Sequence, residues 1–154
     1  MSKMKAVQLD DQERLLIIDQ TRLPAELVFI ELDDKGSLVD AIARLKVRGA
    51  PAIGIAAAYG VYVLARSYRD LPQPVFLSSL YADIDQLRQV RPTAVNLAWA
   101  LGRMEQTLQR CQQQEIATIL AALKAEATAI DNEDAAISHA IAAAGAPLIK
   151  DGMG

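Results

Sequence analysis

The sequence predicts a helix-dominated α+β protein, in which a small N-terminal antiparallel β-sheet precedes a bundle of about five helices. Branched apolar runs of strand length are confined to the part of the chain before Gly36. Beyond it, apolar residues recur every three or four positions, the period of a helix with one buried face. Gly, Pro and polar clusters punctuate these segments at intervals that suit short connections.

From Lys5, two β-leaning stretches flank the polar run Asp10-Asp11-Gln12-Glu13, as in a hairpin, and Pro24 ends the second. Leu27 to Leu32 supplies a third strand, because two strands alone are marginal in water. A helix opens at Gly36-Ser37, with Asp40 three residues after Ser37 as in a capping box. Leu38, Ile42 and Leu45 form its inner face, and it stops near Val47. Pro51 suits the first turn of the next helix, whose stripe is Ile53, Ala56, Ala57, Gly60, Val61 and Leu64. Small residues on most of its faces make it the expected central helix. The uncharged run Ala52 to Ala65 is shorter than the roughly twenty residues that span a bilayer.

Leu71-Pro72-Gln73-Pro74 reads as a loop and Ser78-Ser79 as the cap of a short helix carrying Leu80, Ile84 and Leu87. Arg91-Pro92-Thr93 ends it. Leu97, Leu101, Met104 and Leu108 mark an amphipathic helix. A long helix from Glu115 then keeps Ile116, Ile119, Leu123, Ala127, Ile130, Ile137 and Ile141 in phase until Gly145, a natural C′ terminator. The expected division is a sheet over 1–36, a bundle over 37–145 and a connecting segment over 146–154. No repeat of solenoid length is visible.

Sixteen Lys and Arg stand against nineteen Asp and Glu among 154 residues, a formal charge of -3 with no basic block. Nucleic acid is therefore an unsuitable partner, since backbone binding needs a concentrated positive face. The single cysteine, Cys111, cannot form an internal disulfide, and no leader pattern opens the chain, so a reduced cytoplasmic setting is expected, with no membrane partner.

Two interruptions share a design. In Arg48-Gly49-Ala50-Pro51 and in Arg91-Pro92-Thr93, an arginine stands just before the proline-containing start of a helix. A helix N-terminus offers unpaired N–H groups and the positive end of a dipole, glycine permits close backbone approach, and a guanidinium forks onto phosphate oxygens. A phosphorylated small molecule fits this chemistry. By composition alone the same arginines fit solvent, or a carboxylate partner, equally well.

Cys111 has no neighbour that would lower its pKa and reads as structural or exposed, and His139 has no second ligand at metal-site spacing. Asp131, Glu133 and Asp134 read as a solvated helix face. Tyr59, Tyr62 and Trp99 read as core aromatics. Asn96, a polar amide in a first helical turn, is placed to brace Arg91 or the backbone beside a ligand.

VRGAPAIGIAAAYG from Val47 to Gly60 and RPTAVNLAWAL from Arg91 to Leu101 resemble the two N-terminal signatures of the methylthioribose-1-phosphate isomerase family, and the segment Ile18 to Pro24 resembles a third. The superfamily also holds regulatory subunits of the translation-initiation exchange factor and ribose-1,5-bisphosphate isomerases; the unbroken RGAPAIG and RPTAVNL text resembles the methylthioribose branch. The resemblance implies that Arg48, Gly49, Ala50 and Arg91 contact a sugar phosphate, with Asn96 in support. It implies an aldose–ketose isomerisation in methionine salvage without a cofactor. In the family a Cys and an Asp of a Rossmann-like C-terminal domain are the proposed catalytic pair. Gly145 to Gly152 resembles the approach to that domain loosely, with an unexpected Pro147 and with Ala142-Ala143 where Ile-Gly is usual. The chain alone is thus expected to be inactive, and to work as a homodimer or with a C-terminal catalytic portion. Two other readings remain open: a regulatory module of the initiation-factor branch, binding sugar phosphate or nucleotide without catalysis, and a plain helical interaction domain.

Overall fold

The computed structural model of the protein describes residues 5–150 and 152. Three short strands, β1 (Val7–Leu9), β2 (Leu15–Ile18) and β3 (Phe29–Glu31), form an antiparallel sheet in the order β1-β2-β3. Register pairs Gln8 with Leu16 and Ile17 with Ile30. Five helices follow: α1 (Lys35–Ala43), α2 (Ala50–Ser67), α3 (Gln73–Val90), α4 (Val95–Cys111) and α5 (Ile116–Gly145), the last running into a 3-10 turn over Ala146–Leu148. The predicted α+β class and element order hold.

The hairpin loop is closed by Asp10, whose Oδ1 accepts the N–H of Gln12 at 2.9 Å and of Arg14 at 2.8 Å. Strand β2 ends at Ile18, well before Pro24, because Asp19 takes the chain into a turn: its Oδ1 accepts both the N–H and the hydroxyl of Thr21, at 3.0 and 2.6 Å. Val7, Leu15, Ile17 and Leu32 turn one face of the sheet into the core, against α2.

Helix α1 starts earlier than its leucine stripe suggested. The cap is Asp34, which accepts the Ser37 N–H at 2.6 Å while Ser37 Oγ accepts the Asp34 N–H at 3.2 Å, so Ser37 is the N3 partner rather than the cap. Leu45 lies outside the helix at φ 58°. Helix α3 is also longer than expected. Pro74 occupies its first turn, where no N–H is needed, so Leu71 to Pro74 is a helix entry, and Ser78 sits inside the helix bonding back to the Val75 carbonyl at 3.1 Å. Gly145 keeps right-handed helical angles (φ -82°, ψ -35°) and does not terminate by a left-handed turn.

Helix α2 is apolar and long enough to cross a membrane by composition, yet it is the central helix of the bundle, touching the other four helices' layer through α1, α3, α4 and α5. Glycine makes one of these contacts possible: a Cβ at Gly60 would lie 2.4 Å from Leu38 Cδ2. The core runs through Leu38 and Ile42 of α1, Phe76, Leu80, Ile84 and Leu87 of α3, Leu97, Leu101, Met104 and Leu108 of α4, and Ile119, Leu123, Ala127 and Ile130 of α5. Beyond Ile130 the apolar phase of α5 continues, but Ile137 and Ile141 are exposed.

Trp99 is not a core residue; it is 49% exposed on α4. It lies two residues from both Leu97 and Leu101, off the buried stripe, and its ring lies under the Arg103 guanidinium at 5.0 Å. Nor is the α5 acidic cluster merely solvated. Asp131 accepts from Lys5 Nζ at 2.9 Å and from the Tyr59 hydroxyl at 3.0 Å, and Glu133 pairs with Arg103, which also reaches Glu126 at 2.6 Å. Cys111 is buried, its thiol pushed up by that burial and bonded to the Thr107 carbonyl, consistent with a structural role.

Burial, then the Asp131 carboxylate, pushes the Tyr59 phenol up to about 12; burial and Glu13 do the same for Tyr62. A folded-state pKa above the unfolded value near 10 means that the folded chain holds the proton more tightly. The associated stability is complete below pH 10 and is lost as pH rises toward 12, on the order of 2 kcal/mol for Tyr59. Urea titrations at pH 9 and 12 should show this fall, and Tyr59→Phe should show a smaller one.

Candidate functional site

The two arginine-led interruptions meet in space. Helices α2 and α4 pack closely, and their N-terminal ends face a common pocket of about 380 Å³. Gly49, Ala50 and Ile53 line it from α2, and Arg91 with Thr93 to Leu97 from the turn into α4. Gly54 sets the distance between the helices: a Cβ there would lie 2.9 Å from the Asn96 carbonyl oxygen and 3.4 Å from Ala100 Cβ.

Each helix presents free donors to this space. The first intrahelical bond of α2 runs from the Ile53 N–H to the Gly49 carbonyl, so the N–H groups of Ala50 and Ala52 have no acceptor within the helix. In α4 the first is Ala98 to Ala94, which leaves Val95, Asn96 and Leu97. Neither helix has a side-chain N-cap. Gly49 is the N-cap of α2 at φ 99°, a left-handed conformation that a side chain would strain. The Arg91 carbonyl accepts the Ala94 N–H at 3.0 Å, closing the Arg-Pro-Thr-Ala turn that starts α4.

The predicted residues do not stand equally. Gly49, Ala50, Arg91 and Asn96 line the pocket; Arg48, though adjacent, is exposed and is not part of the lining. Among the described residues, the Arg91 guanidinium has no hydrogen-bond or ion-pair partner, whereas Arg48 Nη2 donates to the Gln20 carbonyl at 3.2 Å. Gln20 was not singled out from the sequence, and it clasps this segment: its Nε2 donates to the Arg48 carbonyl at 3.0 Å and its N–H to the Lys46 carbonyl at 2.9 Å. The Ile18 to Pro24 motif therefore holds the Arg48-Gly49 turn in place from the sheet side. Asn96 makes no hydrogen bond to Arg91 in this arrangement.

No carboxylate, histidine or cysteine is among the lining residues, so the pocket offers cationic and N–H donors but no group to move a proton. Another pocket, of about 370 Å³, lies between the hairpin loop and α2, where Arg66 and Glu13 pair with each other. Arg66 Nη1 donates to the Glu13 carbonyl at 2.7 Å, and Glu13 also pairs with Lys124. Among the described residues, no cluster of His, Cys, Asp and Glu could hold a metal ion.

Comparison with known proteins finds relatives of the chain. The chain is 44% identical over 142 residues to the methylthioribose-1-phosphate isomerase of Alkalilimnicola ehrlichii, covering 92% of this chain and 40% of that protein. It is 43% identical over 143 residues to the 5-deoxyribose 1-phosphate isomerase of Petrotoga mobilis, covering 93% and 41%. It thus spans about two fifths of the length of these relatives. Among solved structures, the translation initiation factor eIF-2B subunit delta from A. fulgidus superposes with a TM-score of 0.89 at 33% identity, covering 97% of this chain and 43% of that one. The 5-methylthioribose 1-phosphate isomerase from Pyrococcus horikoshii OT3 gives 0.80 at 29%, covering 86% and 37%. The resemblance read from RGAPAIG and RPTAVNL holds, and with residues 46–154 matching its pattern the chain belongs to the initiation factor 2 subunit family.

Proposed function

We propose that the chain is the substrate-phosphate-binding part of a cytoplasmic aldose–ketose isomerase that converts methylthioribose 1-phosphate to methylthioribulose 1-phosphate in methionine salvage. The observation that carries this reading is the convergence of two helix N-termini without side-chain caps on one pocket that also holds the uncommitted Arg91. A phosphate dianion answers both features: its oxygens accept the free N–H groups, and its charge is stabilised by the dipoles and the guanidinium.

The reaction leaves phosphate on C1: the ring C1–O4 bond breaks, the hydrogen on C2 ends on C1, the proton of the C2 hydroxyl ends on O4, which becomes a free hydroxyl, and C2 becomes the carbonyl carbon. Holding the phosphate fixes the reacting carbons without touching them, which is the positioning share of the catalysis. Proton transfer falls to groups other than the described lining; the Cys and Asp that the family resemblance implies would supply it. On this reading the pocket positions the substrate and does not itself transfer the proton.

A second reading is favoured by the likeness to the initiation factor subunit: a regulatory module that takes sugar phosphate or nucleotide without catalysis. Titrating the protein with methylthioribose 1-phosphate, and separately with a nucleoside monophosphate, while following phosphorus NMR separates the isomerase reading from the nucleotide-binding form of the regulatory one. A shifted, unconverted sugar-phosphate signal with no nucleotide effect supports the isomerase reading. Binding of nucleotide but not of the sugar phosphate supports the regulatory one, and binding of neither removes both.

A further inference from the structure

The sheet ends in an unused edge. Strand order β1-β2-β3 leaves the outer side of β3 without a neighbouring strand among the described residues, whereas Lys5, just ahead of β1, ties the opposite side of the sheet to Asp131 of α5 at 2.9 Å. The ladder fixes which backbone groups of β3 are spare. The Val28 carbonyl accepts the Asp19 N–H at 2.8 Å, the Leu32 N–H donates to the Leu15 carbonyl at 2.9 Å, and Ile30 lies opposite Ile17 between them. Bonded pairs alternate along an antiparallel ladder, so Val28, Ile30 and Leu32 face β2, and the peptide groups of Leu27, Phe29 and Glu31 face outward. The devices that blunt an edge are missing here: Leu27 to Glu31 contains no proline and no lysine, and its register with β2 is unbroken. Its side chains are apolar and open, with Leu27 52% and Phe29 45% exposed, and Ile18 lies beside Phe29 across the sheet.

We infer that this edge is an interaction surface for a second copy of the chain, the two β3 strands pairing antiparallel about a two-fold axis at Phe29. In that register the two Phe29 residues face each other and Leu27 faces Glu31 of the other copy, so every outward residue exchanges N–H···O=C bonds. The aromatic pair sits on the axis, flanked on each side by Ile18, and the two Glu31 carboxylates stay apart. Neighbouring registers are worse. Centred on Glu31, like charges meet; centred on Ile30, Phe29 faces Glu31 and Leu27 faces Asp33, which sets apolar side chains against carboxylates. Centred on Leu27 or Val28, an outward residue faces Ala25, which lies in a turn and cannot continue the ladder. The other open apolar surface, Ile137 and Ile141 on α5, has no spare backbone groups to set a register. The inference does not depend on the phosphate-binding reading, since no residue of β3 lines that pocket.

Sedimentation equilibrium on the 154-residue chain tests this. A contact this short places the dimer at the weak end of protein association, with a dissociation constant on the order of 10–100 µM. Phe29→Lys sets two like charges on the axis and should weaken the dimer by roughly ten-fold or more, while Ile141→Lys should leave it unchanged. Both side chains are exposed, so the urea midpoints of the variants should stay near wild type. Cysteine pairs read the register. Phe29→Cys should oxidise to an interchain disulfide, its two Cα atoms lying about 5.5 Å apart across the axis. Glu31→Cys should not, because four strand positions separate its copies by about 14 Å. The native Cys111 is buried and stays out of the exchange. A wild-type chain that remains monomeric well above the stated range overturns the inference. So does a dimer that Ile141→Lys dissolves and Phe29→Lys does not, or a Phe29→Cys chain that cross-links no faster than Glu31→Cys.

Discussion

Gly54→Val should destabilise the protein by roughly 3 kcal/mol, at the upper end of what overpacking a core produces. The Cβ alone would lie 2.9 Å from the backbone oxygen of Asn96, and a carbonyl in the first turn of α4 cannot swing aside as the end of a side chain can. The two γ-methyl groups of valine add to the clash, with Ala100 Cβ already 3.4 Å away. Helix α4 must therefore separate from α2 along the seam where they pack most closely. Helix propensity works in the opposite direction, since glycine in a helix interior costs about 1 kcal/mol relative to alanine. Gly102 on α4 isolates that opposing effect: no atom lies within 4 Å of its added Cβ, so Gly102→Ala should stabilise by up to about 1 kcal/mol. Urea midpoints measure both. A Gly54→Val midpoint within error of wild type would mean that α4 is not held as close as described. The same displacement opens the pocket at the two helix N-termini, so binding of the proposed ligand should weaken alongside stability.

The reach of the sequence is clearest at this seam. The stripe Leu97, Leu101, Met104, Leu108 correctly marked the buried face of α4, because one helix's period is a local property. The same period places Trp99 away from that stripe, so treating it as core followed residue type where geometry should have prevailed. Pattern also overreached at Ile137 and Ile141, which keep the phase of α5 while standing 60% and 68% exposed. Periodicity tells which side of a helix is apolar, not what covers it. Local chemistry misled at Ser37 and Ser78, where hydroxyls already inside a helix looked like its start; Asp34 and the proline-bearing turn at Gln73 do that work.

For the site, the sequence marked two arginine-proline turns and the family text bound them together, but nothing local indicates that they face one pocket. That depends on Gly54, which reads as one more small residue in an alanine-rich helix. Gln20 was out of reach for a similar reason. Its contact with Arg48 joins a turn of the sheet to a turn between helices, a pairing that only the folded chain makes.

Arg91 and Arg48, equal in the sequence, should separate cleanly when each is truncated. Arg91→Ala should weaken sugar-phosphate binding by about 1.5 to 3 kcal/mol, a charge-assisted hydrogen bond's contribution, and leave the urea midpoint unmoved because the guanidinium has no partner among the described residues. Arg48→Ala should behave differently. Its guanidinium bonds to the Gln20 carbonyl and stands outside the pocket lining, so its loss should cost about 1 kcal/mol of binding together with a small loss of stability, as the Gly49 turn loosens. Gln20→Ala, which removes the clasp on the Arg48 carbonyl without touching a cation, should reproduce most of the Arg48→Ala phenotype. Calorimetric titration with methylthioribose 1-phosphate, paired with urea unfolding, reads both quantities. Equal losses of binding at the two arginines, with Gln20→Ala silent, would make Arg48 a direct ligand and give the clasp no part in shaping the site. Unchanged binding in Arg91→Ala would remove the phosphate assignment itself, because no other uncommitted cation lines that pocket among the described residues.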